Sequence, residues 1–168
     1  MIPIRNKKKT LSATVDEMRN FALAYTEKYA PSKQQLRTYL LKKYIKSSVP
    51  NIKKNDVVDL IDVVLSDLEK NNFINDKRYA LSKIAYLASS GKSKTFVYNY
   101  LIKKGIDKSE VQDNLKSYQI NDSEWEINSA RLFAKKKKLL DTNTSYEKRL
   151  AKMARAGFNY EICKKVLD

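Results

Sequence analysis

Hydrophobic residues recur at intervals of three and four positions through most of this chain, which is the spacing of one face of an α-helix. The first run of this kind ends at Pro31, because a proline interrupts helical hydrogen bonding. Ser32 is then placed to cap a second helix, and a third helix is predicted to begin at Asn55 or Asp56. Asn72 is expected to close the third helix, since asparagine tolerates the left-handed conformation that often follows a helix.

The same order of three helices is predicted twice more further along the chain, and a loop is predicted over 47–51. The later predicted helices are one that begins at 75 or 76 and ends near 89, one over 93–104, a short one around 111–115, one that begins at 122 or 123 and runs into the lysines 135–138, one that begins at 145, and a short one around 162–167. With 3 Gly and 3 Pro in 168 residues, long helices joined by short turns are favoured over a β protein.

An internal repeat supports this division. Residues 101–115 align without a gap with residues 153–167 at an offset of 52, and both segments carry a glycine at the same turn. Residues 40–46 match the start of the segment, with Tyr44 in the position of the glycine. Units that each bury one small apolar seam stack on their neighbours. The chain is therefore predicted to be all-α, with a flexible basic arm over 1–13 and three tandem three-helix units over 14–72, 73–121 and 122–168.

The charge of the chain points to a class of partner. The sequence has 34 basic and 19 acidic residues, a net charge of +15, and no histidine. The surplus is +6, +5 and +4 in residues 1–72, 73–121 and 122–168, so it is not confined to the arm. A positive field spread over a folded body attracts polyanions such as nucleic acid. The alternative explanation is that the charge serves solubility alone.

Several kinds of site are excluded or disfavoured. With no histidine and with Cys163 as the one cysteine, the chain has no internal disulfide, no zinc site of the Cys/His type and no histidine-based catalysis. The sequence GKS at 91–93 lacks the upstream glycine of a phosphate-binding P-loop. No stretch reaches the roughly 18 apolar residues of a membrane helix, and the N-terminus lacks the apolar region of a signal peptide. We expect a cytoplasmic, monomeric, non-enzymatic protein without cofactor, metal or membrane contact.

Clusters of basic residues are the candidate binding sites. One cluster lies at each end of the predicted helix 93–104. The N-terminal end of this helix also favours phosphate, through its backbone N–H groups and the helix dipole. A lysine run closes the next long helix, and runs of this type are often only a solvated face. Lys148, Lys152 and Arg155 are spaced i, i+4, i+7 without interleaved acids, with Arg149 beside them, and such a stripe suits a track for polyphosphate. The candidate residues are Lys92, Lys94, Lys103, Lys104, Lys135, Lys136, Lys137, Lys148, Arg149, Lys152 and Arg155.

The aromatic residues are candidates for base stacking. Trp125 and the tyrosines could stack on nucleic-acid bases. Most of them keep helical spacing beside apolar neighbours, which favours a packing role.

Three segments resemble one known family. The segment LEKNNFINDKRYA (68–80), with Asn72 where a glycine is usual, is similar to a signature of the RecX family of regulators of the RecA recombinase. SSGKSKTFVYNYLIKKGID (89–107) and MARAGFNYEICKKVLD (153–168) resemble two further segments of that family, in the same order and at the right spacing. The resemblance covers roughly residues 18–168.

The resemblance implies a fold and an activity. The fold it implies is three tandem three-helix units in an elongated, curved arrangement. The implied activity is non-enzymatic: the protein lies in the groove of the RecA–single-stranded DNA filament and restrains its growth, ATP hydrolysis, strand exchange and coprotease activity. The family's binding surface is spread over the protein, so it assigns no individual contact residue. The alternative is a DNA-binding protein of helix-turn-helix type that acts without RecA, and it requires a helix with outward-facing Arg, Asn or Gln.

Overall fold

The computed structural model describes residues 11–46, 53–141 and 143–168. Within these ranges the chain is helical and contains no strand, so the predicted all-α class is confirmed. The helices are α1 (Val15–Tyr29), α2 (Lys33–Lys46), α3 (Lys54–Lys70), α4 (Asp76–Ser89), α5 (Lys94–Lys103), α6 (Lys108–Asn121), α7 (Trp125–Lys136), α8 (Tyr146–Arg155) and α9 (Tyr160–Leu167). No described helix is both long enough and apolar enough to cross a bilayer.

The chain forms two compact units, Met1–Asn75 (unit 1) and Asp76–Asp168 (unit 2). Unit 1 contains α1–α3, and unit 2 contains α4–α9. The predicted loop over 47–51 and residues 1–10 of the predicted arm lie outside the described residues. The division of the chain into three units stays a prediction, as does the curved arrangement.

Unit 1 packs α1, α2 and α3 around one apolar core. Met18 of α1, Leu36 and Tyr44 of α2, and Ile61 and Leu65 of α3 are all buried in it. Tyr44 stands where the repeat has a turn glycine, but α2 continues past it to Lys46 and places its ring in the core. The tyrosine therefore extends the second helix and does not form a turn.

Ion pairs join the outer faces of the unit 1 helices. Arg37 of α2 binds Asp62 of α3 through two hydrogen bonds, both of 2.9 Å. The hydrogen bond from Arg37 holds the pKa of the Asp62 carboxyl below its usual value. Arg19 and Lys33 bind the α3 carboxylates of residues 67 and 69 at 3.0 and 2.6 Å. Carboxylates of α3 thus bind basic side chains of both α1 and α2.

Unit 2 has two neighbouring apolar cores. One is formed by α4, α5 and α6 together with Trp125 from the start of α7, which is 2% exposed. The other is formed by α7, α8 and α9 and includes Met153 and Cys163. The buried hydroxyl of Ser129 in α7 donates to the carbonyl of Lys92 at 2.7 Å and lies 3.1 Å from that of Ala88. This hydroxyl ties α7 to the turn between α4 and α5.

Helix ends show which local predictions hold. Ser32 accepts a hydrogen bond from the Gln35 N–H at 3.2 Å, and Asn72 has a φ of +58°, so both predicted caps are confirmed. The predicted start of the third helix at Asn55 or Asp56 is wrong, because α3 begins at Lys54. The predicted short helix around 111–115 is instead the fourteen-residue α6, and α7 begins at Trp125, later than the predicted 122 or 123.

Candidate functional site

Helix α8 presents the basic stripe that the sequence predicts. Lys148, Lys152 and Arg155 are exposed, while Met153 faces the core. The Arg155 Nε–H donates to the Ala151 carbonyl at 3.2 Å, which holds the guanidinium against its own helix. None of the three cations forms an ion pair with a described carboxylate. We call these three residues the α8 stripe.

Arg149 differs from its neighbours on α8. Its side chain is buried, with 8% exposed, although the sequence predicts it beside the stripe. The Arg149 guanidinium donates to the Leu139 carbonyl at 3.1 Å and lies 5.6 Å from the centre of the Tyr146 ring. Arg149 therefore holds the segment before α8 in place and does not contribute to the exposed charge.

The lysines at the N-terminus of α5 are only partly as predicted. Lys94 is exposed, and the Lys92 ammonium lies 4.6 Å from the centre of the Phe96 ring. Two N–H groups of this helix end already have acceptors, because the Lys94 N–H donates to Glu126 at 3.1 Å and the Phe96 N–H donates to Ser93 at 3.2 Å. Two side chains of the protein therefore bind backbone N–H groups of the expected phosphate site.

The N-terminus of α5 lies against the C-terminus of α8. The Ser93 hydroxyl donates to the Ala156 carbonyl at 2.7 Å. Gly157, with a φ of +90°, passes so close that a Cβ on it would lie 2.6 Å from the Ser93 Oγ. Since Lys94 follows Ser93 and Arg155 precedes Ala156, the structure brings two predicted clusters together that are more than fifty residues apart in sequence.

The lysine run 135–137 lies near the turn between α4 and α5, whereas the cluster of Lys103 and Lys104 lies at the other end of α5. Lys135, Lys136 and Lys137 are exposed, and the Lys136 ammonium donates to the Ser90 carbonyl at 3.2 Å. Lys103 is exposed and Lys104 half-buried at the opposite end of α5, about 14 Å along the helix axis from Lys94 at 1.5 Å per residue. We call Lys92, Lys94, Lys135, Lys136, Lys137 and the α8 stripe together the basic face of unit 2.

Sequence reasoning missed the groove that adjoins this face. Between α5 and α6 lies a groove of about 530 Å³, lined by Lys94, Thr95, Tyr98, Gln112, Leu115 and Lys116. The spacing of Lys94 and Tyr98 is a helical i, i+4 pair, and that was the available signal. The crossing of α5 and α6 that creates the groove is not readable from local spacing.

The described residues offer no site for a metal ion. In residues 11–46, 53–141 and 143–168, no three His, Cys, Asp or Glu side chains are placed to hold one. Burial raises the pKa of the Cys163 thiol, which reduces its nucleophilic thiolate form at neutral pH.

Comparison with known proteins identifies the family. No family model matches the chain. A RecX regulatory protein of Myxococcus xanthus is 30% identical over an alignment that covers 98% of this chain and 91% of that protein. The chain belongs to the RecX family. A RecX regulatory protein of Streptococcus pneumoniae is 28% identical over 151 residues, which cover 89% of this chain, so the chain spans about half, 54%, of that relative's length.

Solved structures of RecX share the fold. The crystal structure of RecX from Lactobacillus salivarius matches with a TM-score of 0.68 at 22% identity, over 91% of this chain and 94% of that one. A second crystal structure of a regulatory protein RecX matches with a TM-score of 0.64 at 18% identity, over 90% of this chain and 72% of that one. Because the two sequence identities, 22% and 18%, are low, these two matches show only that the fold is shared.

Proposed function

We propose that this protein is a non-enzymatic regulator that binds the RecA–single-stranded DNA filament and mainly inhibits its ATP hydrolysis, strand exchange and coprotease activity. Membership of the RecX family supports a regulatory role. The basic face of unit 2 is the surface that we propose for the filament. In this proposal the protein acts inside the cell as a monomer, without cofactor and without membrane contact.

The observation that carries this proposal is the unpaired charge of the α8 stripe beside Lys94. Unit 2 has 20 basic and 11 acidic residues, a net charge of +9. Exposed cations without carboxylate partners keep their full attraction for phosphate, because binding them releases counterions from the nucleic acid. In unit 1, by contrast, Arg19, Lys33 and Arg37 are bound to carboxylates of α3.

The proposed mechanism has two steps. The positive field of unit 2 first steers the protein to the anionic filament and raises the association rate. Contacts with neighbouring filament subunits then favour one state of the filament over another, which changes its assembly and its ATP hydrolysis. A regulator can shift such an equilibrium only by as much as its affinities for the two states differ.

A helix-turn-helix protein that acts without RecA is the less favoured function. Such a protein reads bases with Arg, Asn or Gln side chains on an exposed recognition helix. With Arg149 buried, Arg155 is the one residue of these types that α8 exposes, and its Nε is bound to the Ala151 carbonyl. The geometry therefore favours phosphate contact over base readout.

The first experiment measures ATP hydrolysis by RecA on single-stranded DNA with this protein added below the RecA concentration. We expect the hydrolysis rate to fall as the protein is added. An unchanged rate, together with no binding of the protein to the assembled filament, would contradict the proposal.

The second experiment tests the place of contact. Changing Lys148, Lys152 and Arg155 together to Glu reverses the α8 stripe, and we expect inhibition and filament binding to be lost at physiological salt. The matched control changes the exposed lysines 42, 53 and 54 of unit 1 to Glu, which alters the net charge equally. If both variants lose inhibition to the same extent, net charge and not the stripe is responsible.

A further inference from the structure

We infer that the groove between α5 and α6 binds one nucleotide of a single-stranded nucleic acid, with its base against the Tyr98 ring and its flanking phosphates on Lys94 and Lys116. This inference deepens the proposed function and rests on it for its setting, since it names the part of the filament that unit 2 contacts. The binding itself is measured on free oligonucleotide.

The groove has the size and form of a ligand site. Its volume of about 530 Å³ lies in the range of small-molecule sites, roughly 300–1,000 Å³. Leu115, which is 3% exposed, forms an apolar floor, and the half-buried Tyr98 forms one wall. Thr95 and Gln112 add a hydroxyl and an amide that can bond to polar base edges.

The charges at the rim select an anion. Lys94 stands on the α5 side and Lys116 on the α6 side, and both side chains are exposed. Neither forms an ion pair with a carboxylate in the described ranges, and no carboxylate lines the groove. Two acids lie beside residues of the groove: Glu126 accepts a hydrogen bond from the Lys94 N–H at 3.1 Å, and Asp113 follows Gln112 in the sequence of α6.

The tyrosine distinguishes a nucleotide from an acidic peptide. The Tyr98 ring makes no stacking or cation–π contact within the described part of the chain, although several other tyrosines do. A flat ring between two lysines matches a base between two phosphates, and base–aromatic stacking is largely independent of sequence. The base must be free of a duplex to enter the groove, which favours a single strand.

The groove also leads to the α8 stripe. A Cβ on Gly157, at the turn after α8, would lie 3.1 Å from the Thr95 Cβ, so this turn adjoins the α5 side of the groove. A strand that leaves the groove past Lys94 therefore reaches the end of α8 that carries Arg155. This continuity joins the inferred site to the basic face of unit 2.

The test uses the full chain and a fluorescently labelled oligodeoxythymidine, with anisotropy measured in the absence of RecA. We expect Tyr98→Ala to weaken binding by roughly 5- to 100-fold and Tyr98→Phe to retain it, since a phenyl ring still stacks. The matched control is Tyr86→Ala, which removes another exposed tyrosine of unit 2. Equal affinities of wild type and Tyr98→Ala would overturn the inference.

A second variant keeps the test valid if Tyr98→Ala unfolds. Lys94→Gln with Lys116→Gln changes two exposed side chains, and we expect the slope of log K against log salt concentration to become shallower by about 1.4, at roughly 0.7 per phosphate contact. The matched control replaces the exposed lysines 77 and 108 of unit 2 by Gln and is expected to keep the slope. An unchanged slope in the test pair would overturn the inference.

The nature of the occupant is decided by competition. Unlabelled oligodeoxythymidine should displace the labelled strand from wild type far better than polyglutamate or a duplex of equal length. If polyglutamate competes equally well for wild type and does not compete for Tyr98→Ala, the groove is a site for an acidic peptide. That result would refute the inference that the groove binds a nucleotide. If Tyr98→Ala no longer binds the oligonucleotide but still inhibits RecA as wild type does, the groove has no role in filament binding. If the wild-type protein leaves RecA activity unchanged, only the proposed function is contradicted.

Discussion

The contact between α5 and α8 depends on a glycine, and replacing that glycine is the sharpest test of the packing in unit 2. Gly157 has a φ of +90°, and a Cβ on it would lie 2.6 Å from the Ser93 Oγ. A residue with a Cβ in the left-handed region costs about 1–2 kcal/mol. Forcing an extra methyl group into a packed contact costs about 1–3 kcal/mol more. Gly157→Ala should therefore lower the free energy of unfolding by about 2–5 kcal/mol.

Gly105 is the matched control for this change. It occupies the equivalent repeat position with a φ of +83°, and it is exposed. Gly105→Ala should therefore show only the backbone cost of about 1–2 kcal/mol. The assay is urea unfolding followed by the fluorescence of Trp125, the one tryptophan of the chain, which is buried in unit 2 and reports on that unit.

A double-mutant cycle separates the contact from the backbone. Removing the Ser93 Oγ with Ser93→Ala should cost about 1 kcal/mol through the lost helix cap and about 1 kcal/mol more through the lost hydrogen bond to the Ala156 carbonyl. In that background Gly157→Ala should cost at least about 1 kcal/mol less than in wild type, because the two changes share one contact. If Gly157→Ala costs no more than Gly105→Ala, and the cycle shows no coupling, the packing of α5 against α8 is not as described.

Two further predictions concern titratable groups. The pKa of Asp62 is lowered by Arg37, so this carboxylate stabilises the fold above its usual pKa of 3.8 and loses that effect as the pH falls through its lowered value. Because the pair is half exposed, Asp62→Asn should lower the unfolding free energy by no more than about 1 kcal/mol at neutral pH. The difference from wild type, followed by circular dichroism, should shrink as the pH falls below the usual carboxyl pKa and through the lowered pKa of Asp62. Cys163 is buried, and burial raises the pKa of its thiol, so alkylation at neutral pH should be slower in the folded protein than in denaturant. Equal rates would refute its burial.

Helices and several of their ends were predictable because their signals are local. The three- and four-residue spacing of apolar positions defines the helices, and the caps at Ser32 and Asn72 follow from side chains within a few residues. The end of α7 was less clear, since Lys138 adopts a φ of +53° in a position where glycine or asparagine is usual. There the hydrogen bond from the Leu139 N–H to the Ala134 carbonyl, 2.9 Å long, closes the helix.

The candidate site was predictable only as a set of charges. Helical spacing places Lys148, Lys152 and Arg155 on one stripe, and they are exposed there. The spacing does not show that Arg149 turns inward, because its acceptor, the Leu139 carbonyl, belongs to the segment before α8. Nor does it show that Tyr98 lines a groove, because the facing wall comes from α6.

The unequal pairing of charge in the two units predicts that unit 2 is more stable with a bound polyanion than without one. The ion pairs of Arg19, Lys33 and Arg37 with carboxylates lie in unit 1, whereas unit 2 carries a net charge of +9. Like charges crowded on one folded body repel one another and destabilise it, and a polyanion laid over them removes that repulsion. A ligand that binds only the native state also raises its stability, by an amount that grows with the logarithm of the ligand concentration. The free protein should therefore be digested by proteases faster than the bound protein, so that molecules without a target are removed first.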